Sequence, residues 1–254
     1  MVLIAKSHIK RRFSAALCNY EREATAQRMI NRNLLTLLQK TGKSEFDHIL
    51  EIGCGTGNLT AQLARNLKVE QWTLNDLCDT ASIIEKILTP QSFRFYCCDG
   101  ETFPFDEYYD LIASASCVQW FYDKADFVRR CAERLMPGGL LLLSTFTPGN
   151  LCEVKQLSGR GLDYPTPEQW RSWLRQDFHL LAFEQYEIRL RFDSPAEVLR
   201  HLKHSGVTAT QQEIWTKGRL ADFYRQYEKY YSEPDNQVRL TYTPLLMLAQ
   251  KKGL

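Results

Sequence analysis

No apolar stretch in the chain approaches the roughly 18 uninterrupted residues that a membrane-spanning helix needs, so a membrane protein is not expected. Charge of one sign is not in excess either. The 32 Lys and Arg stand against 30 Asp and Glu, a formal net charge of +2, without the basic surplus of a nucleic-acid-binding domain. The eight cysteines are spread along 254 residues, and none forms a C-x-x-C pair or keeps zinc-ligand spacing with a histidine, so reduced, packed thiols are expected rather than a disulfide framework or a metal site. His201 and His204 have no carboxylate or cysteine at ligand spacing and read as packed or surface histidines. The opening segment interrupts its apolar residues with basic ones and has no small-residue cleavage site, so a secretory leader is not expected and a cytoplasmic location is. Internal repeats and low-complexity tracts are also missing.

What the chain does have is alternation. Met29, Ile30, Leu34, Leu37 and Leu38 recur at helical spacing and predict an amphipathic helix over residues 20–40. Short apolar strands are expected at 48–53, 69–75, 93–97, 111–115 and 140–145, with one helix opening just after the glycines at 53–57 and others spanning 82–88 and 124–135. Strands and helices in turn imply a parallel sheet covered on both faces, with doubly wound order the simplest topology. Beyond Pro148-Gly149-Asn150 the pattern changes. A polar loop at 158–167, a Trp-rich helix around 168–174 and a strand at 184–192 suggest a lid followed by a return to the sheet. Ser194 and Pro195 are suited to cap and start a helix. Residues 207–236 read as a second helical insertion, and 239–251 as a last strand in which Pro244 would need a bulge or an edge. The length suits a single domain with N-terminal covering helices at 1–44, a core at 45–150, insertions at 151–180 and 193–236, and the last strand at 237–254.

The sharpest local signal is Leu50-Glu51-Ile52-Gly53-Cys54-Gly55-Thr56-Gly57, a glycine turn between a strand and a helix, where the backbone can turn tightly and approach a ligand. A dinucleotide fingerprint would need a glycine at 58, but that position is Asn58. Glu51 would repel a phosphate and suits an amino group.

This segment resembles motif I of class I methyltransferases. The resemblance implies S-adenosyl-L-methionine as cofactor, with Gly53, Cys54, Gly55 and Gly57 around its methionine part and Glu51 toward its ammonium. It further implies an acidic residue after the second strand for the ribose, filled by Asp76 beside Asn75, with Asp79 as the fallback. Asp99 and Gly100 after the third strand would meet the adenine, and Ser114 on the fourth strand completes the set. The implied fold is a Rossmann-like α/β domain with a mostly parallel seven-stranded sheet, helices on both faces and a helical lid.

Beyond that superfamily, the chain resembles the malonyl-[acyl-carrier protein] O-methyltransferases of biotin synthesis. The likeness is carried by 13–20 with Gln27, by 114–120 ending in Gln119-Trp120, by Ser144-Thr145-Phe146 with Asn150, by 199–210 and by Arg239-Leu240-Thr241-Tyr242. It implies methylation of the free carboxylate of a malonyl thioester, carried by acyl carrier protein or coenzyme A. Such a carboxylate is already ionised at neutral pH and needs no general base. Tyr20, Gln119 and Trp120 are the candidate acceptor-orienting residues. Because the carrier protein is acidic, Arg200, Lys203 and Lys217 are candidates for docking it. A monomer is expected. The rival expectations are methylation of another small acid or a quinone ring, the latter requiring a base, and a non-catalytic cofactor-binding module.

Overall fold

The computed structural model describes residues 4–206 and 215–253, with the backbone alone at Cys18. The chain divides into two compact units, one formed by 27–145, 165–185 and 245–254, the other by 1–26, 146–164 and 186–244.

The first unit is built on a seven-stranded sheet. Its strands are β1 (Glu45–Ile52), β2 (Lys68–Asp76), β3 (Phe93–Cys97), β4 (Tyr109–Ala115), β5 (Leu135–Phe146), β6 (Phe178–Gln185) and, by its place in the chain, β9 (Pro244–Lys251). They lie in the order β3-β2-β1-β4-β5-β9-β6. The β1–β2, β2–β3, β1–β4 and β4–β5 pairs are parallel, and β6 runs antiparallel to β9. Between the strands run α2 (Thr25–Gln39, before β1), α3 (Asn58–Asn66), α4 (Ala81–Leu88), α5 (Lys124–Arg134) and α7 (Pro167–Asp177), on both faces of the sheet.

Apolar residues drive this arrangement. Leu50 and Ile52 of β1, Ile112 of β4, and Leu141 and Leu143 of β5 share one buried cluster with Phe127, Val128 and Cys131 of α5 and with Trp170 and Leu174 of α7. Each large side chain removed from water there is worth about 1.5–3 kcal/mol. Local signals fix where the helices start. Asp123 accepts a hydrogen bond from the Asp126 N–H, and Thr166 and Gln169 cap one another at the start of α7, with Pro167 in the first turn. Strand order reverses on either side of β1, so the carboxyl ends of β1 and β4 flank the switch point where ligands of open α/β sheets bind.

The second unit contains α1 (Lys6–Glu23), α6 (Cys152–Ser158), α8 (Pro195–His204), α9 (Lys217–Tyr231) and an antiparallel pair, β7 (Ile188–Phe192) with β8 (Val238–Tyr242). Ser194 caps α8 as expected, accepting from the Glu197 N–H. At the other end of α8, Gly206 sits at φ +75°, and an added Cβ would lie 2.7 Å from the Phe13 ring of α1, so the helix end and α1 fit together only with glycine here. Buried Glu153 on α6 accepts from the Thr241 N–H (3.1 Å) and hydroxyl (2.6 Å) of β8, with the Arg239 guanidinium 3.7 Å away. His201 is buried between the Tyr242 hydroxyl (2.9 Å) and Glu23 (3.4 Å), and burial holds its pKa below the usual range.

Several expectations need correction. The helix predicted over 20–40 is the shorter α2, preceded by a separate α1 that breaks at Ala24. The strand at 184–192 is two strands, β6 and β7, in different sheets, and the last strand likewise divides into β8 and β9. Pro244 needs no bulge, because it is the first residue of β9, where a missing N–H is tolerated. Of the predicted insertion at 207–236, residues 207–214 lie outside the described ones, and the rest is mainly α9.

Candidate cofactor and acceptor site

The glycine turn leaves the carboxyl end of β1 and enters α3. Gly53, Gly55 and Gly57 all have positive φ, at +73°, +54° and +78°. An added Cβ at Gly53 would collide with the Cys117 side chain, so only glycine lets the turn pass the segment after β4. The turn is tied to β2 because the N–H groups of Gly53 and Cys54 donate to the Asn75 carbonyl, at 2.8 and 3.0 Å.

Glu51 is 1% exposed, and its Oε2 accepts from the Thr60 hydroxyl at 2.7 Å. Burial pushes its pKa up to about 8, the Thr60 hydrogen bond opposes this, and the nearby Asp76 charge adds to it. A buried carboxyl with this perturbation fits a partner that brings positive charge, as the ammonium of S-adenosylmethionine would.

Asp76 at the end of β2 accepts from the Gly55 N–H (Oδ2, 2.8 Å) and the Cys78 N–H (Oδ1, 2.8 Å), which fixes its carboxylate against the turn. Burial raises its pKa and these backbone donors oppose the rise. The fallback Asp79 is exposed, and it caps the turn into α4 through the Ala81 N–H. Asp99 accepts from the Glu101 N–H at 3.1 Å, in a turn that brings Gly100 against Ile52 and Asn75. Two other candidates engage the framework. The Asn75 amide donates to the Tyr96 and Cys98 carbonyls (3.1 and 2.9 Å), and the Ser114 hydroxyl donates to the Ile52 carbonyl (2.8 Å), clamping β2 to β3 and β4 to β1.

Gln119 and Trp120 lie in a short 3-10 turn, Val118–Trp120, just after β4, and both are buried. The Gln119 amide nitrogen donates to the Ser116 carbonyl at 2.7 Å. Glu51, Asp76, Gln119 and Trp120 thus all belong to the carboxyl side of the first unit's sheet. Tyr20 belongs to α1 of the second unit, as do the docking candidates: Arg200 and Lys203 are exposed on α8, with Arg200 paired to Glu197 at 2.8 Å, and Lys217 is exposed at the start of α9. Among the described residues, no group of three or more His, Cys, Asp or Glu is arranged to hold a metal ion. Sequence reasoning did not single out Thr60 or Cys117, whose roles depend on neighbours distant in the chain.

A mostly parallel sheet with this strand order and a glycine turn over a buried glutamate defines the methyltransferase class. Residues 50–143 match the family described as "Methyltransferase domain". Solved structures agree on the fold. The YcgJ protein from Bacillus subtilis aligns with TM-score 0.64 at 17% identity, covering 88% of this chain and 100% of its own. The N-methyltransferase NodS from Bradyrhizobium japonicum WM9, in complex with S-adenosyl-L-homocysteine, aligns with TM-score 0.56 at 16% identity, covering 96% and 98%. Closer in sequence are two proteins named malonyl-[acyl-carrier protein] O-methyltransferase. The one from Porphyromonas gingivalis is 46% identical over 94% of each chain, and the one from Haemophilus influenzae is 44% identical over 97% of this chain and 95% of its own. The chain belongs to the malonyl-[acyl-carrier protein] O-methyltransferase family.

Proposed function

We propose that this chain transfers a methyl group from S-adenosyl-L-methionine to the free carboxylate of a malonyl thioester, giving the methyl ester that primes pimeloyl and biotin synthesis. The observation that carries this reading is the 46% identity over 94% of the chain to a relative of that name. Malonyl-acyl carrier protein is the proposed substrate, with malonyl-coenzyme A as the other carrier, and the protein is proposed to act as a cytoplasmic monomer.

Glu51 would hold the cofactor's ammonium, and Gly53, Cys54, Gly55 and Gly57 its methionine part. Asp76 would accept from the ribose hydroxyls, with Asp99 and Gly100 beside the adenine. Asn75 and Ser114 position these residues by clamping the strand ends. When bound, the cofactor supplies an electrophilic methyl on a cationic sulfonium. The chain's own task is then alignment and exclusion of water, since sulfonium and carboxylate neutralise each other as the reaction proceeds. Gln119 and Trp120 are buried as such a role requires. Tyr20 is proposed to touch the acceptor on the strength of the family resemblance. Arg200, Lys203 and Lys217 offer positive charge to an acidic carrier.

The test is methyl transfer from labelled S-adenosylmethionine to malonyl-acyl carrier protein beside acetyl-acyl carrier protein, which lacks the free carboxylate. Label on the malonyl carrier alone supports the reading. Label on neither carrier, or equally on both, overturns the carboxylate as acceptor.

A further inference from the structure

The carboxyl ends of β4 and β5 leave three polar side-chain atoms buried without hydrogen-bond partners: the Ser116 and Thr145 hydroxyls and the Gln119 amide oxygen. Thr145 is 0% and Gln119 8% exposed. They lie together. The parallel register pairs Ala115 with Ser144; Ser116 is the first residue beyond β4, at φ +51°, and Thr145 is the next-to-last residue of β5. The Ser116 N–H donates to the Ser144 carbonyl (3.2 Å) and hydroxyl (3.0 Å), and the Gln119 amide donates to the Ser116 carbonyl. Two residues before Ser116, on β4, Ser114 is already engaged with the Ile52 carbonyl of β1. The unpartnered set therefore begins one strand over from the glycine turn.

A buried hydroxyl without a partner costs stability, so each one calls for an explanation, and a ligand that accepts from it is one. Both can donate. We infer that Ser116 and Thr145 are substrate-binding residues whose hydroxyls donate to the acceptor's carboxylate, and that Gln119 holds the Ser116 backbone in place for them. This rests on the reading above that the acceptor is a malonyl thioester. Two neutral donors can fix the carboxylate without a cation whose charge would compete with the sulfonium. They also discriminate, because an acceptor ending in a methyl group would leave both hydroxyls unpaired on binding.

The experiment compares Thr145→Val, which keeps the volume and removes the hydroxyl, Ser116→Ala, and Thr145→Ser. Wild-type protein is first assayed with malonyl-acyl carrier protein. If it makes no ester, the proposed function fails and this inference falls with it. If it does, Thr145→Val and Ser116→Ala should each lower kcat/KM for the malonyl carrier at least about tenfold while leaving the cofactor Kd within about twofold, and Thr145→Ser should recover most of the loss. Thr145→Val should also melt at an equal or higher temperature, because it removes an unpaired buried polar group, an outcome opposite to that of a structural hydroxyl. Wild-type kcat/KM in both hydroxyl-deleted variants, equal losses in kcat/KM and cofactor affinity, or a lowered melting temperature in Thr145→Val would each overturn it.

Discussion

Glu51 shows how one residue links sequence, burial and chemistry. Its pKa is pushed up to about 8 by burial, so near neutral pH the unliganded protein holds it largely protonated. A folded-state pKa above the unfolded one means that the folded chain binds the proton more tightly, so this group's contribution to stability falls as pH rises from the ordinary carboxylate range through about 8. Cofactor binding runs the other way, since an ammonium favours the ionised form. Titration calorimetry at pH 7 in buffers of different ionisation enthalpy should therefore detect proton release when S-adenosylmethionine binds. Glu51→Gln should bind more weakly and without that release, and equal proton balance in the two proteins would contradict the assignment. Asp76→Ala should weaken the cofactor by about 10–100-fold, the usual loss for a charge-assisted hydrogen bond. Unchanged affinity would move the ribose role to Asp79. The glycine turn, Glu51 and Asp76 were legible in the sequence because each is a chemical type at a strand end. The engagement of Asn75 and Ser114 with backbone carbonyls was not, because side-chain direction depends on neighbours 21 and 62 residues away.

At the scale of elements, β1 to β5 and the helices between them followed from short apolar runs separated by turn residues, although β5 begins at Leu135, five residues before its apolar run. The second half was harder to read for a physical reason. Residues 238–251 form one almost continuously buried run, although β8 pairs with β7 and β9 joins the main sheet. Apolar patterning reports burial and says nothing of which sheet buries a strand; Pro244 was the one mark of the break. Likewise, Gln185-Tyr186-Glu187 carries no glycine or proline between β6 and β7. The end of α8 was legible as a family feature, and its physical cause is Gly206 at positive φ against Phe13. Gly206→Ala should cost about 1–3 kcal/mol and lower the melting temperature by roughly 2–10 °C, the strain of the left-handed conformation adding to the displaced ring. A melting temperature equal to wild type would show that the α1–α8 packing yields without cost.

At the scale of the whole molecule, a net charge of +2 gives no strong field of either sign, so recognition of an acidic carrier depends on local groups. Lys203→Glu should slow methylation of the carrier-bound substrate, more at low salt than at high, because exposed charges act over a screening length of about 10 Å at 0.1 M salt. A salt-independent rate ratio would remove Lys203 from the docking surface. The central claim concerns where the methyl group goes, and it is tested most directly by the chemistry of the product. Malonyl-acyl carrier protein treated with the enzyme and methyl-labelled S-adenosylmethionine should gain a single methyl group that mild alkali releases as labelled methanol, as a carboxyl methyl ester requires. Label that survives the alkali would place the methyl on carbon or nitrogen and contradict the account.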